Sequence, residues 1–540
     1  ITAGTDTLTA ALAVGSSNAV RQDSLGSFNA PATAVSANTL TVASTSASVS
    51  LTKDSTYANQ SVALPATGFK VGSWNLNGSS TEDILVTTLS FDVDEVTVSA
   101  DDFNESDLTN LTVLVKNSSG AVIANPSPIA TVSAADNNFS VNFTLAKNAN
   151  VKIEVYANLG STVTTAEKVK TDLTVTGTAL VSGTAIDASS GNIDGQTLTA
   201  ATASITVSKD ASSPVTAIVY DNQLVTTLAA KFDAVTAGYN LTDLTVTLGA
   251  ANAATVIQSV QLYDGATLVK SIPMTTTTTA VFNGISVNVP ANTNKVLTVK
   301  VQLGSIGVGA GTTGSTITTS IASASHAVYT NTSTGVSTSS STEEAGTATG
   351  SSMYAYAATP TITNVALPTT TLGTGTQTVS KFTIASNGGT IGWKYLAFTI
   401  AKNISGTDTL ASATVWDVDT NTQIAGTPTF TGSVEADSDT AGGLTFVADD
   451  EQQINGSKTY LVKMTVAGTL ASGDNLSVSI AQPLTAVDAP DAYADVLTDD
   501  ATATFIWTDQ AVVSHSATTD DWNHGYLVKN LPTDTQTLTY

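Results

Sequence analysis

"LVSGTAIDASSGNIDGQTLTAATASITVSKD", residues 180–210, repeats in looser form the stretch "SANTLTVASTSASVSLTKD" at residues 36–54. Val49 in the earlier stretch answers to Ile205 in the later one, a separation of 205 − 49 = 156 residues. Self-similarity at a long fixed period marks a chain built from duplicated folding units. Each stretch reads as a seam, the closing strand of one sandwich and the lead into the next.

Working outward from the seam, the same kind of strand recurs as "ASVSL" (47–51), "ASITV" (203–207), "SMYAY" (352–356) and "ATFIW" (503–507). A hairpin follows in mid-unit: "LTVLVKNSSGAVI" (111–123), "SVQLYDGATLVKSI" (259–272) and "ATVWDVDTNTQI" (413–424). Its turns carry Asn117 to Gly120, Asp264-Gly265 and Asp419 to Asn421, residue types that tolerate positive φ. A late strand comes third: "VKIEVYANLGS" (151–161), "VLTVKVQLGS" (296–305) and "TYLVKMTVAG" (459–468). Successive copies of the hairpin and the late strand lie roughly 145 to 165 residues apart.

Between these anchors apolar residues alternate with Thr and Ser, as in "DILVTTLSFDV" (83–93) and "DLTVTL" (243–248), and no capped 3.6-residue stripe is sustained. Thr and Val are stiff at χ1 and suit a pleated, half-buried surface. The fold class expected is all-β: tandem immunoglobulin-like antiparallel β-sandwiches in an elongated array. At 540 residues the chain exceeds one core. The expected division is a partial unit at 1–45, sandwiches at 46–205, 206–355 and 356–507, and a tail at 508–540. "TLTAALAVGSS" (7–17) sets Val14-Gly15-Ser16 where Leu303-Gly304-Ser305 stand, so the chain is expected to open inside a unit, as a processed or partial polypeptide. An unfinished sandwich exposes strand edges; either upstream residues, cleaved or outside the given sequence, complete it, or the 508–540 tail of one copy supplies strands to the next.

Composition excludes several functions. Charged residues make up 12% and hydrophobic residues 41%, enough apolar mass for cores. Net charge is −25, and Arg21 is the one arginine among 19 basic residues, so nucleic acid is not a partner. No apolar run is long enough for a transmembrane helix. Without cysteine there is no thiol catalysis and no thiolate metal site. No phosphate loop, dinucleotide fingerprint or HExxH occurs. His515 or His524 with Asp520 and Asp521 lacks a serine elbow and reads as a chance grouping. Trp74, Trp393, Trp416, Trp507 and Trp522, one or two per unit, read as core residues rather than a sugar-binding platform.

Acidic pairs are the strongest chemical feature. Asp92 and Asp94 share one strand face at period two, with Asp101 and Asp102 following; Asp417 and Asp419 flank a hairpin turn, with Glu435, Asp437 and Asp439 beyond. Hard oxygen ligands of this kind suit Ca²⁺, which takes six to eight of them. These nine residues are the candidate calcium ligands; no other cofactor is expected and none is required. The bland reading is solvated loop charge.

Acidic, Cys-free, Thr/Ala-rich sandwich repeats resemble bacterial surface-layer (S-layer) and large cell-surface repeat proteins. The closing stretch "ATFIWTDQAVVSHSATTDDWNHGYLVKNLPTDTQTLTY" (503–540) resembles the ends of large secreted repeat proteins of candidate-phylum bacteria. The resemblance implies secretion, a cell-surface location, self-assembly into a sheet or filament, and calcium dependence; surface-layer anchoring motifs are missing. The expectation is a non-enzymatic extracellular structural subunit whose partners are copies of itself and cell-envelope glycans. The alternative is an adhesin or carbohydrate-binding stalk.

Overall fold

The computed structural model describes residues 7–41, 47–96, 103–188, 193–249, 253–275, 278–322, 327–333, 335, 337–338, 344–436, 440–483, 488–499 and 503–540. The chain forms two compact units, one running to Ala203 together with Thr332–Val336, the other Ser204–Asn331 with Ser337–Tyr540. The fold is all-β, in tandem sandwiches, with two short α-helices, Ala253–Val256 and Tyr493–Asp499, and one 3-10 turn, Glu105–Asp107, among the described residues. No helix among those residues is long and apolar enough to cross a membrane.

The first unit holds one complete sandwich. Its first sheet runs, in spatial order, Val122–Ala124, Leu108–Asn117, Asn150–Leu159, Ala66–Asn77, Ser50–Lys53. The facing sheet runs Asn137–Leu145, Ile84–Glu95, Lys168–Ala179, Ile193–Ala201, Gln60–Ala63. Alternate side chains from both sheets meet in a core around Trp74, Phe91 and Phe139, whose ring centroids lie 5.6 and 5.8 Å apart in succession. Gly72 and Gly195 make room for the indole: a Cβ on either would fall within 2.6 Å of a Trp74 ring carbon.

The second unit contains the same design twice. The order Thr267–Pro273, Ile257–Asp264, Thr293–Leu303, Leu224–Val235, Ser204–Lys209 reproduces the first sheet of the first sandwich. So does Thr422–Gln423, Asp408–Asp417, Ser457–Gly468, Gly375–Asn387, Thr359–Asn364. Each mid-unit hairpin is present, with Gly120, Gly265 and Asn421 at positive φ in its turn. Each late strand lies between two partners with its inward-facing apolar residues buried. Pairing is not wholly antiparallel. An early strand lies parallel to a late one in each sandwich: Gln60–Ala63 with Ile193–Ala201 in the first, Ser204–Lys209 with Glu344–Thr349 and Ala217–Tyr220 with Met353–Tyr356 in the second, and two bridges in the third, Thr361 to Lys529 and Thr371 to Thr539.

Three expectations need correction. The four seam strands do not occupy one place. Ser50–Lys53 and Ser204–Lys209 open their sandwiches, whereas Met353–Tyr356 closes the second and Phe505–Thr508 sits mid-sheet in the third, against Ile391–Asn403. The Ser/Thr-rich stretch 331–352, which by composition alone reads as a loop, contains a strand, Glu344–Thr349, paired with Ser204–Lys209 and Ser315–Ala322. Residues 508–540 are not a detached tail. Gln536–Thr539 pairs with Asn475–Ser479, Trp522–His524 pairs with Phe505–Thr508, and Trp522, Val528 and Leu538 are buried. The expected donor strand is spent inside its own sandwich.

Within the second unit the two sandwiches share a core at their joint. Tyr356, from the closing strand of the second sandwich, stacks edge-on against Trp507 of the third at 5.2 Å, and Ile218 and Tyr354 pack on the same cluster. Gly388 (φ +90°) lets the third sandwich approach Tyr220, whose Cβ would lie 2.9 Å from a Cβ built there.

Candidate functional site

Of the nine predicted calcium ligands, the structure describes five and places them in two separate regions, Asp92 with Asp94 and Asp417 with Asp419 and Glu435. Asp101, Asp102, Asp437 and Asp439 lie outside the described residues. Asp92 and Asp94 do share one face of Ile84–Glu95. Asp92 accepts the Asp136 backbone N–H at 2.9 Å, and Asp94 faces Lys170 Nζ at 3.2 Å. Asp417 is a turn former: its Oδ1 accepts the backbone N–H groups of Asp419 (2.9 Å) and Thr420 (3.2 Å), and Lys458 Nζ stands 3.4 Å from Oδ2. Asp419 turns away to accept the Thr459 N–H at 3.3 Å, and Glu435 is exposed. Among the described residues no three His, Asp or Glu side chains are grouped to hold a metal ion.

The densest acidic cluster is built around a lysine. Strand register places Asp92, Asp172 and Asp194 in a row across three neighbouring strands, with Lys170 opposite Asp94 two pairs further on. Lys170 Nζ lies 2.8 Å from Asp194, 3.2 Å from Asp94 and 3.6 Å from Asp172. Asp172 is buried, and its Oδ1 has no hydrogen-bond partner among the described residues. Burial, with Asp94 beside it, pushes its carboxyl up to about 7 against the pull of Lys170. Sequence reasoning found Asp92 and Asp94 but missed Lys170, Asp172 and Asp194. The alternation of "KVKTDLTV" (168–175) puts Lys170 and Asp172 on one face, but only register brings Asp94 and Asp194 to them.

Two other clusters belong to the second unit. His515 Nδ1 lies 2.9 and 3.0 Å from the Asp521 carboxylate oxygens, and Nε2 lies 2.9 Å from Glu451 Oε2. A nucleophile would have to face Nε2, and a carboxylate oxygen occupies that position. Asp520 is exposed, and the His524 ring faces the backbone N–H groups of Asp488 and Tyr526. Gln510 Nε2 donates to Glu451 Oε1 at 2.6 Å, so the group ties the loop after Phe505–Thr508 to the Ala441–Ile454 strand. The geometry is that of a staple.

Asp509 holds the joint between the second and third sandwiches. Its Oδ2 accepts Thr313 Oγ1–H (2.6 Å) and the Ala357 N–H (2.8 Å), and Oδ1 accepts the Ala511 N–H at 3.3 Å. All three donors are neutral. Burial pushes the carboxyl up to about 6, helped by nearby Asp521 and opposed by those hydrogen bonds. Trp74, Trp393, Trp507 and Trp522 are fully buried; Trp416 is half-buried, with Lys463 Nζ 4.0 Å from its ring centroid.

No family model matches this chain, and no curated protein matches it. Among solved structures, it is similar to the C-terminal domain of the Streptococcus agalactiae AgI/II polypeptide BspA: 10% identity over 57% of this chain and 99% of that one, TM-score 0.19. The CupB6 tip adhesin of Pseudomonas aeruginosa matches at 11% identity over 57% and 98%, TM-score 0.18. A putative membrane anchored protein of Corynebacterium diphtheriae matches at 11% identity over 99% and 97%, TM-score 0.17. Superpositions this loose carry no functional argument.

Proposed function

We propose that this chain is a non-enzymatic structural subunit of an extracellular surface layer or filament, assembling from copies of itself. The observation that carries the reading is the threefold use of one sandwich plan, two copies of which are fused through a shared core around Tyr356 and Trp507. A catalytic module would interrupt that plan. The carboxylates best placed for chemistry are instead held by lysines, backbone N–H groups and a histidine. Four of the five tryptophans are buried, which weighs against the carbohydrate-binding stalk.

Negative-stain microscopy of the purified chain at rising concentration tests the reading. Ordered sheets or fibres are expected, and dispersed single particles at all concentrations would overturn it. Adding a chelator tests the calcium expectation separately. With Lys170 and Lys458 beside the described acidic pairs, assemblies should survive chelation; their dissolution would restore calcium as a cofactor.

A further inference from the structure

The first sandwich is electrically two-faced. Its first sheet carries four lysines, Lys53, Lys70, Lys116 and Lys152, and one carboxylate, Glu154. The facing sheet, with Ala185–Asp187 at its side, carries two lysines and six carboxylates. The second sandwich repeats the bias. Five lysines and two aspartates lie on its sheet from Thr267–Pro273 to Ser204–Lys209, whereas its other strands hold Asp243 and Glu344 and no lysine among the described residues. The third keeps the same sign, with three lysines to two aspartates on its first sheet and two lysines to three carboxylates on the other. In a chain of net charge −25, lysine is gathered on the same side of the plan three times over.

Both faces of the first sandwich also set like charges directly opposite one another, which costs stability in a sheet left to itself. Lys116 pairs in register with Lys152. Asp92 pairs with Asp172, and Asp172 with Asp194. On the cationic side three lysines surround two carboxylates: Lys70 and Lys116 share Glu154, and Lys152 reaches Asp54 at 2.8 Å. Both carboxylates are buried beneath them, so the charge left at the surface is positive. Beside Lys116 and Lys152 opens a cleft of about 510 Å³, lined by Asn75, Asn117, Ser118 and Asn150. On the anionic side Lys170 stands among three carboxylates, and Asp94 and Asp194 remain 45 and 65% exposed. The raised carboxyl of Asp172, a product of burial and of Asp94, marks that side as short of cations.

The two faces complement each other. Neighbouring strands lie about 4.8 Å apart in any sheet, so the lysine pair and the aspartate row are spaced by the same repeat. An anionic polymer laid on the lysines would leave the carboxylate row uncompensated, whereas a second copy of the chain satisfies both. We infer that the lysine face of the first sandwich in one copy docks on the carboxylate face of the first sandwich in the next, Asp194 entering the cleft beside Lys116 and Lys152. Such a contact is heterologous, using a different patch on each side, and adds copies head to tail. This inference rests on the self-assembling reading above and names its contact.

The test is sedimentation velocity on the full chain from about 1 to 100 µM, a range that brackets a micromolar dissociation constant. Reversible association is expected at an ionic strength of about 0.02 M. It should weaken at least about tenfold at about 0.5 M, where the screening length falls to roughly 4 Å. Lys116→Glu and Asp194→Lys should each weaken it at least about tenfold at low salt, whereas Lys529→Gln, at an exposed lysine of the second unit, should change it by no more than about threefold. An equimolar mixture of the Lys116→Glu and Asp194→Lys chains should associate nearly as tightly as the unsubstituted chain, because one supplies an intact carboxylate face and the other an intact lysine face. Thermal melting is the folding control, and Lys116→Gln, with a smaller effect of the same sign, takes the place of Lys116→Glu if that chain melts early. Association unaffected by salt or by either reversal, or a mixture no tighter than its components, overturns the face-to-face contact and leaves the structural reading standing. A chain that stays monomeric throughout overturns both.

Discussion

Asp54 in the first unit and Asp509 in the second are both buried aspartates, 2 and 3% exposed, and both accept a threonine hydroxyl and backbone N–H groups. They differ in whether a cation reaches them. Lys152 Nζ lies 2.8 Å from Asp54, while Asp509 has neutral donors only. Burial alone would raise the Asp54 carboxyl; Lys152, Thr56 and Ser73 outweigh it and hold that carboxyl well below the usual carboxylate range. At Asp509 burial prevails and the carboxyl rises to about 6. A buried carboxylate is thus an anchor or a liability at neutral pH according to whether a cation reaches it.

The sharpest way to break the contrast is to remove a cation from a fully buried pair. Lys402 and Asp408, 2.7 Å apart and almost wholly buried, form one within the third sandwich, and Lys402 also donates to the Ala436 carbonyl. Lys402→Met should destabilise the second unit by about 3–5 kcal/mol, because it strands a charge in the core; thermal unfolding would register it. The next effect concerns pH. With its carboxyl raised to about 6 in the fold against 3.8 ordinarily, Asp509 favours the folded state fully below pH 3.8, and that contribution is lost as pH rises through 6. The span is about 3 kcal/mol at most. Denaturant melts of the intact chain should show the second unit gaining stability from pH 7 toward pH 4, and Asp509→Asn should flatten the slope.

Asp54 has the opposite sign. Its contribution is present above pH 3.8 and disappears as pH falls through its lower folded value. Asp54→Asn at pH 7 should cost the first unit about 2 kcal/mol, the scale of a hydrogen bond to a charged group. Smallest is Lys170→Met. Two of the three carboxylates around that lysine are 45 and 65% exposed, so unfolding should shift by about 1 kcal/mol or less. Carbon-detected NMR titration should show Asp172 moving upward from about 7, since the substitution removes the positive charge of Lys170 beside it.

Strands that carry their own evidence were legible in the sequence. Alternation in 293–303 and a Gly or Asn at the turn are local signals, and each late strand and hairpin lies where those signals put it. The seam strands were less so, because "SMYAY" and "ATFIW" look alike to any rule of period two and are distinguished only by their partners. Residues 508–540 were misread for a related reason. "TQTLT" is a short run after a stretch rich in Thr and Asp, and what makes it a strand is the free edge of Asn475–Ser479, about sixty residues earlier. The acidic cluster fell between the two cases. Asp94 was visible as half of a pair, but the lysine that governs it comes from the neighbouring strand and is fixed by register alone.

The parallel pairing of an early strand with a late one gives each sandwich a mechanical rank. Tension along the polypeptide pulls two such neighbours past each other lengthwise, so their bonds share the load and must yield together. The first sandwich sets four residue pairs against that shear and the second sets eight, whereas the third sets two isolated bridges, Thr361–Lys529 and Thr371–Thr539. Under force applied end to end, the third should give way first, an order that single-molecule extension would read directly as the lowest peak in the trace.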